Sequence, residues 1–269
     1  GSNGGAIPNR TFEVAGNFTL ILSEARAYIN NSGANNANHT LTVHGNIADD
    51  SEVDNSGFDL YENTDRVNLV LGGTGTNTFT RSNANAGSVP DLYTIQLNKS
   101  GIADQFSIDT EFTLPTPTTV GAQPVEIVNG LLILNEANID ITLADGTQGN
   151  FFLPNTINSD ASSGSGGLEI AAGTARINGD DVGFILDGIL SISGGSLDMT
   201  DLVNNGNNFI QYGASDQAVL EVSAGSLLVG SQVRRPTSTS SGLLNYSQTG
   251  GDAQFGIVAA PESSRGVFE

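Results

Sequence analysis

Leu168-Glu-Ile170-Ala-Ala-Gly173-Thr-Ala-Arg-Ile177 is followed by Leu190-Ser-Ile192-Ser-Gly-Gly195-Ser-Leu-Asp-Met199, and then by Leu220-Glu-Val222-Ser-Ala-Gly225-Ser-Leu-Leu-Val229. A looser fourth copy reads Leu244-Asn-Tyr246-Ser-Gln-Thr-Gly250-Gly-Asp-Ala-Gln-Phe255, with one extra residue before its glycine. Each copy is a short alternating strand, a glycine corner and a second strand. The leading leucines are 22, 30 and 24 residues apart (168 to 190, 190 to 220, 220 to 244). Self-similarity at a period of roughly 20–50 residues marks a solenoid or array. A unit of this length suits one turn of a parallel β-helix.

The alternation says how such turns would stack. In Leu168-Glu-Ile170 the two apolar residues point one way and the glutamate points the other. Stacked coils would put Ile170, Ile192 and Val222 in one interior column and Leu168, Leu190 and Leu220 in the next. Glu169, Ser191 and Glu221 would form an exterior column. One coil alone is too small to bury its apolar face, so its neighbours must cover it. The recurring Gly173, Gly195 and Gly225 fall where the chain must turn between strands. A closed antiparallel sandwich also has short, spaced strands. It does not predict one strand–glycine–strand phrase recurring in tandem.

Outward from these repeats the pattern loosens. Period-2 segments occur at Phe12–Val14, Phe18–Leu22, Leu41–Val43, Val67–Leu71, Tyr93–Leu97, Phe106–Ile108, Val125–Ile127, Leu132–Leu134 and Ile139–Leu143. Pro115, Pro117 and Pro124 bracket an irregular excursion, since proline cannot donate into a ladder. Ser23–Asn30, with a capping-type serine, is the best helix candidate and is only two turns long. The expected organisation is a flexible lead over residues 1–10 and one β-helix domain over 11–269. That domain is less regular over 11–160 and most regular over 166–269, with the Ser/Gly-rich run 159–167 at the boundary. Gly1-Ser2 reads as a tag-removal scar, so the chain reads as a piece of a longer protein. Its last apolar segments carry no polar cap, and Glu269 is expected not to be a natural end.

The 269 residues carry 29 acidic and 9 basic side chains, a net charge of −20, and Lys99 is the only lysine. Such a chain repels phosphate backbones and anionic lipid surfaces, which excludes nucleic acid and membrane as partners. The charge suits divalent-cation binding, a basic partner, or simply a strongly solvated surface. There is no cysteine, which removes disulfides, thiolate zinc sites and thiol catalysis. No stretch reaches the ~18–20 apolar residues of a membrane span.

The phrases at 190–199, 220–229 and 244–251 resemble repeats of large bacterial secreted and cell-surface adhesins. Those proteins have the right-handed, pectin-lyase-like parallel β-helix. The resemblance covers residues 166–269 well and 11–160 only in style. It implies an all-β solenoid, an extracellular or cell-surface location and a non-enzymatic adhesin or stalk, a rigid rod whose loops at 49–65, 81–91, 115–124 and 159–167 would make the contacts. The partners it implies are a surface glycan or protein, together with neighbouring coils of a longer parent chain. The same fold also carries polysaccharide lyases and glycoside hydrolases, so a carbohydrate-active enzyme is the alternative.

Candidate chemistry is sparse. Asp180-Asp181 invites a glycosidase reading, but the Gly-His-Gly and Arg-Ile-Lys phrases that accompany such a pair in polygalacturonases are missing. Two carboxylates must also converge for that chemistry. The run Asn178-Gly179-Asp180-Asp181 reads more simply as a turn with solvated acids. Arg176 is the only basic residue in a regular repeat strand, and Arg234-Arg235 before Pro236 reads as loop. The two histidines, His39 and His44, are five apart around a strand and should face opposite ways. The densest acidic cluster runs from Asp49 to Asp59. Asp50, Glu52, Asp54 and Asp59 form a candidate Ca²⁺ set, although the late glycine and the missing final glutamate depart from the EF-hand pattern. Asp145–Asn150 is a weaker loop of the same type. No catalytic residue and no cofactor other than this candidate Ca²⁺ is expected.

Overall fold

Segments of three to six alternating residues, each with one apolar face, can be buried only against copies of themselves. In the computed structural model that is how the chain packs. The structure describes residues 9–21, 38–51, 58–62, 65–82, 89–115, 124–142, 166–203, 206–212, 217–258 and 268. Within them the chain is an all-β parallel solenoid. The helix candidate Ser23–Asn30 lies outside the described residues.

The early coils contain β1 (Thr11–Val14), β2 (Phe18–Leu20), β3 (Asn38–Val43), β4 (Ile47–Asp49), β5 (Tyr61–Glu62), β6 (Asp65–Leu71), β7 (Thr76–Arg81), β8 (Thr94–Asn98) and β9 (Gln105–Ile108). At the middle lie β10 (Val125–Leu134) and β11 (Ala137–Thr142). The later coils contain β12 (Gly166–Ile170), β13 (Gly173–Asn178), β14 (Gly183–Leu186), β15 (Ile189–Ile192), β16 (Ser196–Met199) and β17 (Phe209–Tyr212). They end with β18 (Gln217–Val222), β19 (Ser226–Val229), β20 (Val233–Arg234), β21 (Leu243–Gln248) and β22 (Asp252–Phe255).

These strands form long parallel ladders. A first face stacks β1, β3, β6, β8 and the start of β10. A second stacks β2, β4, β7 and β9, then the end of β10, then β12, β15, β18 and β21. A third stacks β11, β13, β16, β19 and β22. In the later coils β14, β17 and β20 form a separate ladder. It takes the place in coil order that the first face holds earlier. The strand β10, read from sequence as two segments, is continuous; it passes from the first face to the second at Gly130, whose φ of 102° an L side chain resists. One pairing is antiparallel: β5 folds back on the start of β6.

The expected columns form. Leu168, Leu190 and Leu220 are register partners, as are Ile170, Ile192 and Val222, and all six are buried. Glu169, Ser191 and Glu221 align outside them. The early coils also stack their core in columns: Leu41, Leu69, Ile95 and Val125 make one that is buried throughout. Phenylalanines fill the wider middle of the cross-section. Phe58 packs edge-on between Phe18 and Phe79, with centroids 5.7 and 5.1 Å away.

The fourth repeat is corrected by the ladder. Leu220 pairs with Tyr246, not with Leu244, and Leu244 pairs with Ala218. Counted from Tyr246, the corner glycine is Gly251, the same five-residue step as Leu220 to Gly225, and no extra residue is needed. The misreading arose because this rung is less apolar: Gln248 takes the place of Val222 and is exposed.

Candidate functional site

Alternation on the first face turns a set of polar side chains outward. Thr40, Asn68 and Thr94 are successive register partners in one outer column. Thr42, Val70, Gln96 and Glu126 make the next. Together they line an open groove of about 360 Å³ whose walls include Thr40, Asn68, Thr94, Gln96 and Glu126. Thr94 Oγ1 donates to Asn68 Oδ1 at 2.7 Å, Asn68 Nδ2 donates to the His39 carbonyl at 3.2 Å, and Gln96 Nε2 donates to Glu126 Oε2. Parallel rungs repeat about every 4.8 Å, so the groove offers a regular ladder of donors and acceptors.

The antiparallel β5 builds one rim. Tyr61 stacks on Tyr93 with centroids 5.7 Å apart and planes 13° from parallel. The Arg66 guanidinium lies 5.4 Å from the Tyr93 centroid. Arg66 comes two residues before Asn68, so it faces outward with it. Arg66 Nε and Asn38 Oδ1 are both buried without a hydrogen-bond partner, and the two residues are partners across the β3–β6 ladder. Flat aromatic faces beside a row of amides, hydroxyls and one carboxylate can hold a polyhydroxylated ligand, the rings taking its apolar faces and the amides its hydroxyls. The signal in the sequence was the outer position of each Leu-x-Ile-type strand, which reading for core residues passes over.

The predicted acidic set is divided. Glu52 and Asp54 lie outside the described residues, as do residues 145–150. Asp59 lies on a parallel bridge to Asp91, and its Oδ1 accepts the Tyr61 amide at 3.1 Å. Asp50 continues the chain beyond β4, its amide bonded to the Leu20 carbonyl at 2.8 Å. The neighbouring Asp49, outside the predicted set, is only 1 % exposed. Its carboxylate accepts the Ser51 amide at 3.2 Å and the Phe58 amide at 3.0 Å, so it pins both ends of the acidic loop. Among the described residues no three acidic or histidine side chains gather as a metal-holding group.

Asp180 and Asp181 lie in a bend between β13 and β14, not on a strand, and Asp181 adopts φ 54°. Asp180 Oδ1 accepts the Asn207 amide at 3.2 Å, while Asp201 Oδ2 accepts the Gly179 amide at 2.7 Å. The turn forms as expected, but Asp180 and Asp201 each accept a backbone amide of the neighbouring coil and so fasten one coil to the next, where solvated acids were expected. Arg234 is corrected from loop to strand: it ends β20, with its guanidinium 3.5 Å from the Phe209 centroid. Arg176 is exposed on β13, in register with Asp198. His39 is buried, its Nδ1 taking the Arg10 amide at 3.1 Å, while His44 turns outward to Glu13 at 2.9 Å.

A second hollow of about 490 Å³ lies against the last coil, lined by Tyr212, Arg235, Leu244, Tyr246 and Phe268 among others. Its lining includes Leu244 and Tyr246, which hold the interior columns of β21. Comparison with protein-family models, curated proteins and solved structures finds no match to this chain.

Proposed function

We propose that this chain is a non-enzymatic segment of a bacterial exported surface protein, a rigid β-helical rod that contacts a surface glycan through the groove on its first face. The observation that carries the reading is the continuous parallel ladder from β1 to β21. Each rung buries its neighbours, and nine rungs at about 4.8 Å make a rod about 40 Å long. The groove adds a surface whose chemistry suits hydroxyl-rich ligands, and the charge of −20 favours neutral glycans over acidic ones. In this reading the loop with Asp50, Glu52, Asp54 and Asp59 holds Ca²⁺ weakly, in the ~10⁻⁴–10⁻³ M range of extracellular sites. Further coils of a longer parent chain would extend the rod.

Glu126 on the groove floor favours a second reading, a polysaccharide lyase or glycoside hydrolase. One assay separates the two. Neutral and acidic polysaccharides are offered with and without Ca²⁺, and both retention and new chain ends are measured. The adhesin reading expects retention without cleavage, weakened in an Asn68→Ala/Gln96→Ala double variant. Chain ends that appear with the parent protein and vanish with Glu126→Gln would establish the enzyme instead.

A further inference from the structure

Lys99 is the only lysine in the chain and is 3 % exposed. It stands at the corner after β8, with its ammonium turned back onto the previous coil. Nζ donates to the Gly75 carbonyl at 3.1 Å and to Asn77 Oδ1 at 2.6 Å. The Phe106 ring lies 5.9 Å from Nζ, and Phe106 is fully buried and in register with Asn77. Asp104 completes the corner, its Oδ1 accepting the Gly75 amide at 2.5 Å. Lys99 and Asp104 thus grip the two polar backbone atoms of one residue. Asn77 Nδ2 points elsewhere, toward Asn46 Oδ1 at 3.4 Å.

We propose that Lys99 and Asn77 join in an intramolecular isopeptide bond. The carboxamide carbon, Cγ, is one bond from the oxygen that Nζ already touches, so attack needs a small reorientation and no encounter. The Nζ lone pair adds to Cγ, the Cγ–Nδ2 bond breaks, and Nδ2 leaves as ammonia. The proton that Nζ loses on becoming an amide nitrogen ends on Nδ2, so a neutral amine and a carboxamide give neutral ammonia. An amine and a primary carboxamide become a secondary amide and ammonia, with no oxidant or reductant. An amine must be neutral to attack. Burial holds Lys99 below the usual lysine range, and the Asp104 charge opposes that shift only in part.

The bond would tie β7 to the corner after β8 across a separation of 22 residues. A solenoid is held only by contacts between adjacent coils, so one covalent tie between two coils stops it from unzipping past that rung.

The test is the mass of the purified full chain under denaturing conditions. The expected mass is one ammonia, about 17 Da, below that of the sequence. A succinimide at any of the Asn-Gly steps, which begin at Asn3, Asn129, Asn178 and Asn205, would lose the same mass, so the link must also be located. Trypsin cuts after Arg66, Arg81 and Arg176, and peptide 67–81 should remain joined to 82–176 after hydroxylamine treatment. Lys99→Arg and Asn77→Ala proteins should show their full sequence masses, and denatured mass reads this whether or not either variant folds. A parent protein of full mass that releases peptide 67–81 would overturn the proposal. So would a mass loss that hydroxylamine reverses at an Asn-Gly step.

Discussion

Gly225 is where close stacking has its sharpest single-residue consequence. Its φ is 68°, and a Cβ there would lie 1.9 Å from the Gly195 carbonyl oxygen of the coil below. Gly195, at the equivalent corner, has an ordinary φ but is closed by Ile170 Cγ2 at 2.7 Å. One repeated glycine therefore answers two different demands. Gly225→Ala combines left-handed strain of about 1–2 kcal/mol with a backbone clash that no rotamer relieves. It should lower the melting temperature by more than Gly195→Ala, whose φ is ordinary and whose nearest backbone contact, Ala172 C, is a milder 2.9 Å away. Equal melting temperatures for the two would mean the coils can separate at the corner at little cost. Asn208 shows the same coil-to-coil logic in polar form: fully buried, it accepts the Val182 amide at 2.9 Å and donates to the Ile177 carbonyl at 3.3 Å.

At the scale of the element, β21 differs from the strands it follows. It pairs in register with β18, yet of its interior positions Leu244 and Tyr246 are only half-buried and Gln248 is exposed. Tyr246 packs at 6.2 Å on Phe255 and 5.7 Å on Phe268, and its hydroxyl donates to Gln248 at 2.7 Å. Burial raises its pKa above the ordinary tyrosine value of 10.0. The folded strand therefore keeps a proton that the unfolded chain gives up. Its stabilising share is complete below pH 10 and is lost as pH rises through the raised value. Amide exchange over 243–248, corrected for intrinsic rate, should accelerate above pH 10 in the parent and much less in Tyr246→Phe. A parallel response in the two proteins would assign the alkaline opening to other groups.

For the whole molecule, a charge of −20 lies on a rod whose sheets hold few cations to offset it. Self-repulsion favours the expanded chain. The Debye length falls from about 30 Å at 0.01 M to about 8 Å at 0.15 M ionic strength. The melting temperature should accordingly rise between those NaCl concentrations. The same ionic strength reached with CaCl₂ should raise it further if the loop at Asp50 and Asp59 takes up the ion. A melting temperature indifferent to NaCl would show that the acids are individually compensated, as Asp49, Asp180 and Asp201 are by backbone amides.

The sequence by itself determined the unit and its direction of growth. Leu-x-Ile followed by a glycine is a local pattern, and three near-identical copies can bury their apolar faces only by stacking in register. What local pattern could not carry was everything set by the neighbouring coil. β14, β17 and β20 were missed because Phe184, Phe209 and Val233 sit in segments of two to four residues with no alternation of their own. They become strands only when the coil beside them supplies hydrogen-bond partners. The last repeat slipped by two residues because its Tyr and Gln obscure the apolar period, whereas the ladder places it without ambiguity. The groove, too, is absent from any one strand. Thr40, Asn68, Thr94, Gln96 and Glu126 are ordinary outward residues tens of positions apart, and only coil stacking brings them into a row. Lys99 stood out in the sequence as the single lysine, but its meeting with Gly75 and Asn77 depends on two coils turning the same corner.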